Sequence, residues 1–238
     1  MPIRAVTLDA AGTLFEVAEP VGATYARLAA AHGIAIAADA VDRGFRAAFA
    51  AAPPLAFPGA SPTRLAEHER AWWYTVVRAA FGPAAHAAGF DVAFDAIFAH
   101  YARADAWRVF PEVPAALAAL RGRGVRLAIV SNFDGRLRDL VDGLGLAPLV
   151  DATLWSTRVG HAKPAPEIFA AATGALGVAP GNALHVGDGA IADVEGARRA
   201  GMTAILVDRR AASPAPAGVR TVASLAELPP LLDAIAQP

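Results

Sequence analysis

The sequence predicts an α/β protein: a doubly wound parallel sheet carrying an inserted, all-helical block. Three observations lead there. Short β-rich apolar runs, each closed by small or polar residues, recur along the chain, and segments with helical spacing separate the later ones. After the first such run, residues 16–108 carry no convincing strand. At 238 residues the chain is long enough for one sizeable domain, or one domain holding a smaller insertion.

In chain order, "RAVTL" (4–8) predicts the first strand. Helices are predicted over 20–32, 39–52, 63–81 and 91–106, with Pro/Gly punctuation such as "AAPPLAFPGASP" (51–62) between them. From there the rhythm becomes regular: helix 113–124, strand 125–131, helix 136–146, strand 151–156, helix 165–178, strand 182–187, helix 193–202 and strand 203–207. Glycines follow several of the helices, as C-terminal caps do. Residues 209–221 read as a loop leading into a short edge element. A closing helix spans 224–236, with Ser224 as N-cap and Glu227 completing a capping box. The organisation is therefore a core of residues 1–15 and 109–238, with a helical cap of 16–108 over the carboxyl edge of the sheet.

Composition narrows the function. Lys and Arg number 21 against 22 Asp and Glu, for a formal charge of -1, so nothing draws the chain to nucleic acid or to an anionic membrane. No run approaches the roughly 18 apolar residues of a membrane span. The absence of cysteine removes disulfides, thiol nucleophiles and cysteine-ligated zinc. The N-terminus enters the strand pattern at once and leaves no room for a signal peptide, so the expected location is cytoplasmic.

Ligands of a doubly wound sheet bind outside the carboxyl ends of its strands. The strand ends carry Asp9, then Ser131 and Asn132, then Lys163, then Asp188 with Asp193 five residues on. Asp9 suits a carboxylate nucleophile. Gly12 and Thr13 make a tight turn whose N–H groups can cradle an anion. Ser131 offers a hydroxyl and, with Asn132, backbone donors for phosphate. Lys163, its backbone fixed by Pro164, can neutralise charge on Asp9 and on a transferring group. In "HVGDGAIAD", Asp188 and Asp193 suggest that one faces a cation while the other braces the loop; few carboxylates plus phosphate oxygens suit Mg2+.

With those residues in place, "LDAAGTLF", "VSNFD", "AKPAPEIF" and "HVGDGAIAD" resemble the four motifs of the haloacid dehalogenase-like (HAD) superfamily, in order and at typical spacing. "PVGATYA", "GFRAAF", the pair Trp72–Trp73, "SNFDGRL" and "GARRAGM" resemble the branch of haloacid dehalogenase-like hydrolase domain-containing protein 3. The resemblance implies a Rossmann-like HAD core with a cap, and a hydrolase that acts through an aspartyl-phosphate. It implies Mg2+ held by Asp9, the Ala11 carbonyl, Asp188 and Asp193, with Lys163, Ser131, Asn132 and Thr13 around a small phosphorylated substrate. The assembly is expected to be a monomer or homodimer, with no nucleic-acid or membrane partner.

One residue departs from the pattern. Phosphatases of this superfamily place a second aspartate two residues after the nucleophile, where it protonates the leaving oxygen and later takes a proton from water. Ala11 keeps the carbonyl and lacks the acid. General acid–base help is typically about 10²–10⁴-fold, or about 3–5 kcal/mol of barrier for an alkoxide. Acyl and aryl phosphates need that help much less. Haloacid dehalogenases, with a motif similar to "DAYGTLF", also lack the acid, so metal-independent 2-haloacid dehalogenation is the first alternative. The paired acids of "VGDGAIAD" count against it. A weakly active or non-catalytic binding protein is the second.

Other residues have structural explanations. Trp72, Trp73 and Tyr74 are expected to pack rather than line a pocket, and His185 to be a satisfied core histidine. His161 lies close to Lys163, Asp134 suits an N-cap, and Glu16 stands at the hinge, where it is expected to set local charge rather than replace the missing acid.

Overall fold

The computed structural model describes residues 2–210 and 217–236, the last two by backbone alone. The segment 211–216 of the expected 209–221 loop, and the final residues of the expected core, lie outside the described residues. β1 (Ala5–Leu8) leads through a turn into β2 (Phe15–Val17), followed by α1 (Val21–Ala30), α2 (Ala38–Ala51), α3 (Pro62–Phe81) and α4 (Phe90–His100). β3 (Trp107–Val109) then returns antiparallel to β2. Strands and helices alternate onward: α5 (Val113–Gly122), β4 (Arg126–Ser131), α6 (Arg136–Gly143), β5 (Ala152–Trp155), α7 (Ser156–Val159) and α8 (Pro166–Leu176). β6 (Ala183–Gly187), α9 (Gly196–Arg199), β7 (Thr203–Val207), β8 (Arg220–Val222) and α10 (Leu228–Ala236) complete the chain.

The main sheet runs β5-β4-β1-β6-β7-β8, every pair parallel. β1 is buried at every position and β4 at every position but the first, as strands covered on both faces must be. One face meets Leu117 and Leu120 of α5, Leu137 and Leu140 of α6, and Leu228 of α10. The other meets Ile168, Phe169 and Ala172 of α8 and Ala197 of α9. Because the chain fills β4 and β5 on one side of β1 before crossing to β6, the order reverses between β1 and β6. That reversal opens the crevice in which such sheets bind ligands.

α1 to α4 have their own apolar centre, built from Tyr25, Val77, Phe81, Phe90, Phe94 and Ile97. The block is anchored above the carboxyl ends of β4 and β5. Trp73 Nε1 donates to Asp134 Oδ2 at 2.6 Å, Gly135 N and the Thr157 hydroxyl donate to Glu69, and Ser156 Oγ donates to the Leu55 carbonyl at 2.5 Å. No helix among the described residues is long and apolar enough to cross a membrane.

Three local features differ from the sequence expectation. The β2–β3 ribbon, pairing Phe15 with Val109, Glu16 with Arg108 and Val17 with Trp107, lies where no strand was expected. Three-residue strands are too short to show an alternation. The expected helix at 193–202 instead opens as a wide π-type turn over Ala190–Glu195 and becomes α-helical only in α9. α7 was also not expected. The capping box of Ser224 and Glu227 is present, with Ala226 N donating to Ser224 Oγ and Ser224 N to Glu227 Oε1.

Candidate active site

Asp9 leaves the sheet directly after β1, and its N–H donates to the Val186 carbonyl at 2.9 Å. Its carboxylate therefore opens into the β1–β6 crevice. The chain then turns tightly: Leu14 N donates to Ala10 O at 2.8 Å and Gly12 N to Phe15 O at 2.8 Å. Gly12 has φ of 92°, and a Cβ there would collide with the Asp188 carboxylate. Glycine is required on both counts, and its bareness lets the β1 and β6 loops meet.

Lys163 arrives from the loop after α7 and is almost wholly buried. Its Nζ lies 2.5 Å from Asp9 Oδ1 and 2.5 Å from Asp193 Oδ1. The Asn132 amide clamps the Lys163 backbone, donating to its carbonyl at 2.8 Å and accepting from its N–H at 2.7 Å. Asn132 thus holds the lysine in place. Helix α6 begins only at Arg136, so Ser131 and Asn132 sit in the loop ahead of it rather than in its first turn. Ser131 is buried at the end of β4 and lines the same cavity as Asp9. Thr13 is fully buried, and its hydroxyl has no hydrogen-bond partner among the described residues.

The two acids after β6 differ in their surroundings, and Asp193, expected with Asp188 around a cation, has its oxygens taken up by the protein. Asp193 Oδ1 accepts from Lys163 and, at 3.0 Å, meets His185 Nε2, while its Oδ2 accepts from Gly189 N at 2.8 Å. Its oxygens are engaged, so it braces the loop. Asp188 is exposed at the crevice and takes part in no ion pair among the described residues. One carboxylate oxygen from each of Asp9, Asp188 and Asp193 lies within 4.8 Å of the others. Three hard oxygen donors this close suit a small divalent cation, and the Asp9–Asp188 side has the free lone pairs.

Electrostatics follow from that crowding. Burial pushes the Asp9 carboxyl up, Lys163 pulls it back and Asp193 adds repulsion, leaving it above the usual value. Asp188 reaches solvent at the mouth of the crevice, yet the surrounding walls desolvate its carboxyl, and with the charges of Asp9 and Asp193 this pushes it up to about 7. Burial acts on Asp193 in the same sense, but Lys163 and His185 outweigh it and hold the carboxyl well below the usual range. Burial would also depress Lys163, yet Asp193 and Asp9 keep it above the ordinary lysine value, so it is charged. His185 is pushed down by burial and is neutral. Its Nε2–H donates to Asp193, and Thr7 Oγ1 lies 2.7 Å from Nδ1 and serves as donor there. His185 is a satisfied core residue that steadies Asp193.

Above these residues is a cavity of ≈ 370 Å³, with Asp9, Ala11, Ser131, Lys163 and Asp188 at its base; the helical block forms most of the remaining wall, and Phe133, Arg136 and Ala192 complete it from the core. Trp73 lines it, contrary to the packing role expected. Trp72 and Tyr74 do not: Trp72 Nε1 bonds the Pro53 carbonyl and Tyr74 OH bonds Asp91. Asp134 accepts from Arg136 N at 3.0 Å, capping α6, and also from Trp73. His161 is half-buried beside Glu167, and Glu16 pairs with Arg108 at 2.5 Å; neither lines the cavity. Sequence reasoning missed Arg209. Its guanidinium donates to Thr13 O at 2.7 Å and Gly12 O at 3.3 Å, pairs with Glu112 at 2.7 Å and lies over Phe110, so it pins the turn after Asp9. Its place just past the end of β7, at the same sheet edge, was the available signal.

A parallel sheet with charged and hydroxyl groups gathered at its reversal point, beneath a helical block of apolar residues, is an α/β fold with a buried ionic centre in its ligand crevice. The chain belongs to the haloacid dehalogenase-like hydrolases, whose family profile matches residues 3–201. It is 36% identical over 209 residues to haloacid dehalogenase-like hydrolase domain-containing protein 3 of Mus musculus, covering 87% of this chain and 82% of that one. Over 102 residues it is 45% identical to the phosphoserine phosphatase of Thermus thermophilus, covering 42% and 41%. The L-2-haloacid dehalogenase RSc1362 superposes with a TM-score of 0.76 at 25% identity, covering 98% of this chain and all of that one.

Proposed function

We propose that this hydrolase is a Mg2+-dependent phosphatase acting through an aspartyl-phosphate on a small phosphorylated metabolite. The observation that carries the reading is the meeting of Asp9 with one buried ammonium and two further carboxylates at the sheet's reversal point. A phosphate dianion entering beside three carboxylates and one lysine is repelled, and a divalent cation removes that repulsion. Asp9 and Asp188, with the Ala11 carbonyl, would hold it, and its contribution is charge neutralisation on the transferring group.

The chain's own residues do the rest. The segment 16–108 serves as the cap, closed by the bonds from Glu69, Trp73 and Leu55, and keeps bulk water from the reacting centre. Asp9 attacks phosphorus through a carboxylate oxygen while the bond to the leaving oxygen breaks and its electron pair departs on that oxygen. Lys163 balances the charge on Asp9, and Ser131 donates to the phosphoryl oxygens; the Gly12 and Thr13 N–H groups, expected to cradle the anion, are instead held within their own turn by Phe15 O and Ala10 O. Water then attacks phosphorus, the Asp9–phosphorus bond breaks, and carboxylate and dihydrogen phosphate are released. Ala11 can neither give nor take a proton in either step.

A dehalogenase reading draws on Ala11 too, since halide leaves without a proton. Against it stands the acidic cluster, which repels a 2-haloacid carboxylate unless a cation is present. The experiment is turnover of acetyl phosphate and phenyl phosphate by the purified chain with Mg2+. Activity should vanish with EDTA and fall at least about 10³-fold in Asp9→Asn, as expected for loss of a nucleophile. Halide release from 2-chloropropionate without metal, and no phosphate turnover, would instead make it a dehalogenase. Neither product from either panel would leave a binding protein.

A further inference from the structure

We infer that the leaving group of this site is an uncharged aromatic body, so that the chain takes aryl phosphomonoesters; this rests on the phosphatase reading above. Two independent features of the cavity point to that class. One concerns its wall. Away from the ionic base of Asp9, Lys163, Asp188 and Asp193 with Ser131 and Asn132, the lining is largely apolar and aromatic, including Val21, Phe49, Trp73, Phe94 and Phe98, and the phenols Tyr25 and Tyr101 add only neutral hydroxyls. The remaining charged residue there is Arg136, and it is not free. Its guanidinium pairs with Asp134 (Nη2–Oδ2 2.6 Å, Nε–Oδ1 2.9 Å), donates to the Phe98 carbonyl and lies 4.1 Å from the Phe98 ring centroid. A charged leaving group, such as the ammonium and carboxylate of an amino acid, would lose its water there and meet no free opposite charge, only the neutral hydroxyls of Tyr25 and Tyr101. A flat ring meets edges and faces of aromatic neighbours instead. At ≈ 370 Å³ the cavity is at the small end of the roughly 300–1,000 Å³ typical of ligand pockets, a size for one or two rings.

The other feature concerns protons. Ala11 lies at the base of the cavity beside Asp9, where a leaving oxygen would otherwise find its acid. A phenolate is the base of an acid with pKa about 10, as in tyrosine. An alkoxide is closer to hydroxide, the base of water at about 15.7. The aryl oxygen therefore departs as an anion at far smaller penalty. An acyl phosphate shares that advantage and leaves the apolar wall unfilled.

The test compares kcat/KM for 1-naphthyl phosphate, acetyl phosphate and phosphoserine with Mg2+. Naphthyl phosphate should exceed phosphoserine by about 100-fold or more and acetyl phosphate by about tenfold. Trp73 and Trp107 line the cavity, so tryptophan fluorescence gives a binding readout. Benzylphosphonate should change it at concentrations where methylphosphonate does not. Phe49 lines the cavity yet is 46% exposed. Phe49→Glu should lower the naphthyl-to-acetyl ratio about tenfold. Acetyl phosphate or phosphoserine turned over as well as naphthyl phosphate, in a reaction that Asp9→Asn stops, would overturn the aryl assignment and leave the phosphatase standing. A naphthyl preference untouched by Phe49→Glu, with no fluorescence change, would reduce it to leaving-group reactivity and also overturn it. No phosphate turnover at all would remove both readings.

Discussion

At the scale of single residues, position 11 matters most. Its side chain looks into the cavity beside Asp9, with the apolar Val17 of the ribbon in the same wall. A carboxyl installed there would be poorly solvated, and poor solvation keeps a carboxylic acid protonated towards neutral pH. Ala11→Asp should therefore create a working general acid rather than another fixed anion. The expected gain in kcat/KM for an alkyl ester such as β-glycerophosphate is roughly 100-fold, within the range of general acid catalysis, and for phenyl phosphate less than about fivefold. Steady-state rates on the two esters decide it. Equal gains would mean that proton supply does not limit the wild-type chain. Much of this residue-level picture was legible beforehand, because every residue at the carboxyl end of a parallel strand has a known place to point. Asp9, Ser131 and Asp188 follow from that rule; Lys163, in the loop after α7, and Asp193, inside the wide turn after β6, lie further along the chain. The role of Asn132 does not follow from it: its amide is occupied by a backbone 31 positions away, a juxtaposition that local pattern cannot carry.

At the scale of elements, α3 and α6 meet through Asp134. This side chain is fully buried and accepts from Arg136 N, Nε and Nη2 and from Trp73 Nε1, so it caps one helix and ties down the other. Removing it leaves the Arg136 guanidinium in an aromatic slot without a counter-charge. Breaking a buried pair from one side costs about 3–5 kcal/mol. In a chain of this size that lowers Tm by roughly 6–20 °C. Asp134→Ala should show that loss in a thermal melt followed by circular dichroism, and Asp134→Ala with Arg136→Met should recover most of it. A shift under about 2 °C would mean that solvent reaches the guanidinium and the tie is weak. The long helices of the block were readable because a spacing of 3.6 persists over 10 to 20 residues in α1, α2 and α3. The β2–β3 ribbon and the wide turn at 190–195 were not. The ribbon is too short to have a period. In the turn, Asp193 is drawn into bonds with Lys163, His185 and Gly189, a tertiary cause that overrides local helical preference.

At the scale of the whole molecule, the crevice should make folding depend on pH and on cations together. Asp188, with its carboxyl up at about 7 against an ordinary 3.8, holds a proton in the folded chain that the unfolded chain has already released at intermediate pH. The folded state then binds more protons, so stability falls as pH rises from about 4 to about 7. Asp9, also raised, acts in the same sense. Asp193 acts oppositely: its contribution is present above the ordinary carboxylate value and is lost as strong acid protonates it. A cation between Asp9 and Asp188 favours their ionised forms and cancels the repulsion that lifted them, so Mg2+ should stabilise the chain more near pH 8 than near pH 5.5. At a concentration about 100 times its Kd the gain is about 2.7 kcal/mol, or roughly 5–11 °C in Tm. Differential scanning fluorimetry across pH, with and without Mg2+, measures both slopes. In Asp188→Asn the fall between pH 5 and pH 8 should flatten and the Mg2+ shift should disappear, whatever the turnover of that variant. If Mg2+ leaves Tm unchanged at pH 8 while the pH slope is present, these acids repel one another without gathering a cation, and the phosphate chemistry proposed for Asp9 loses its counter-charge.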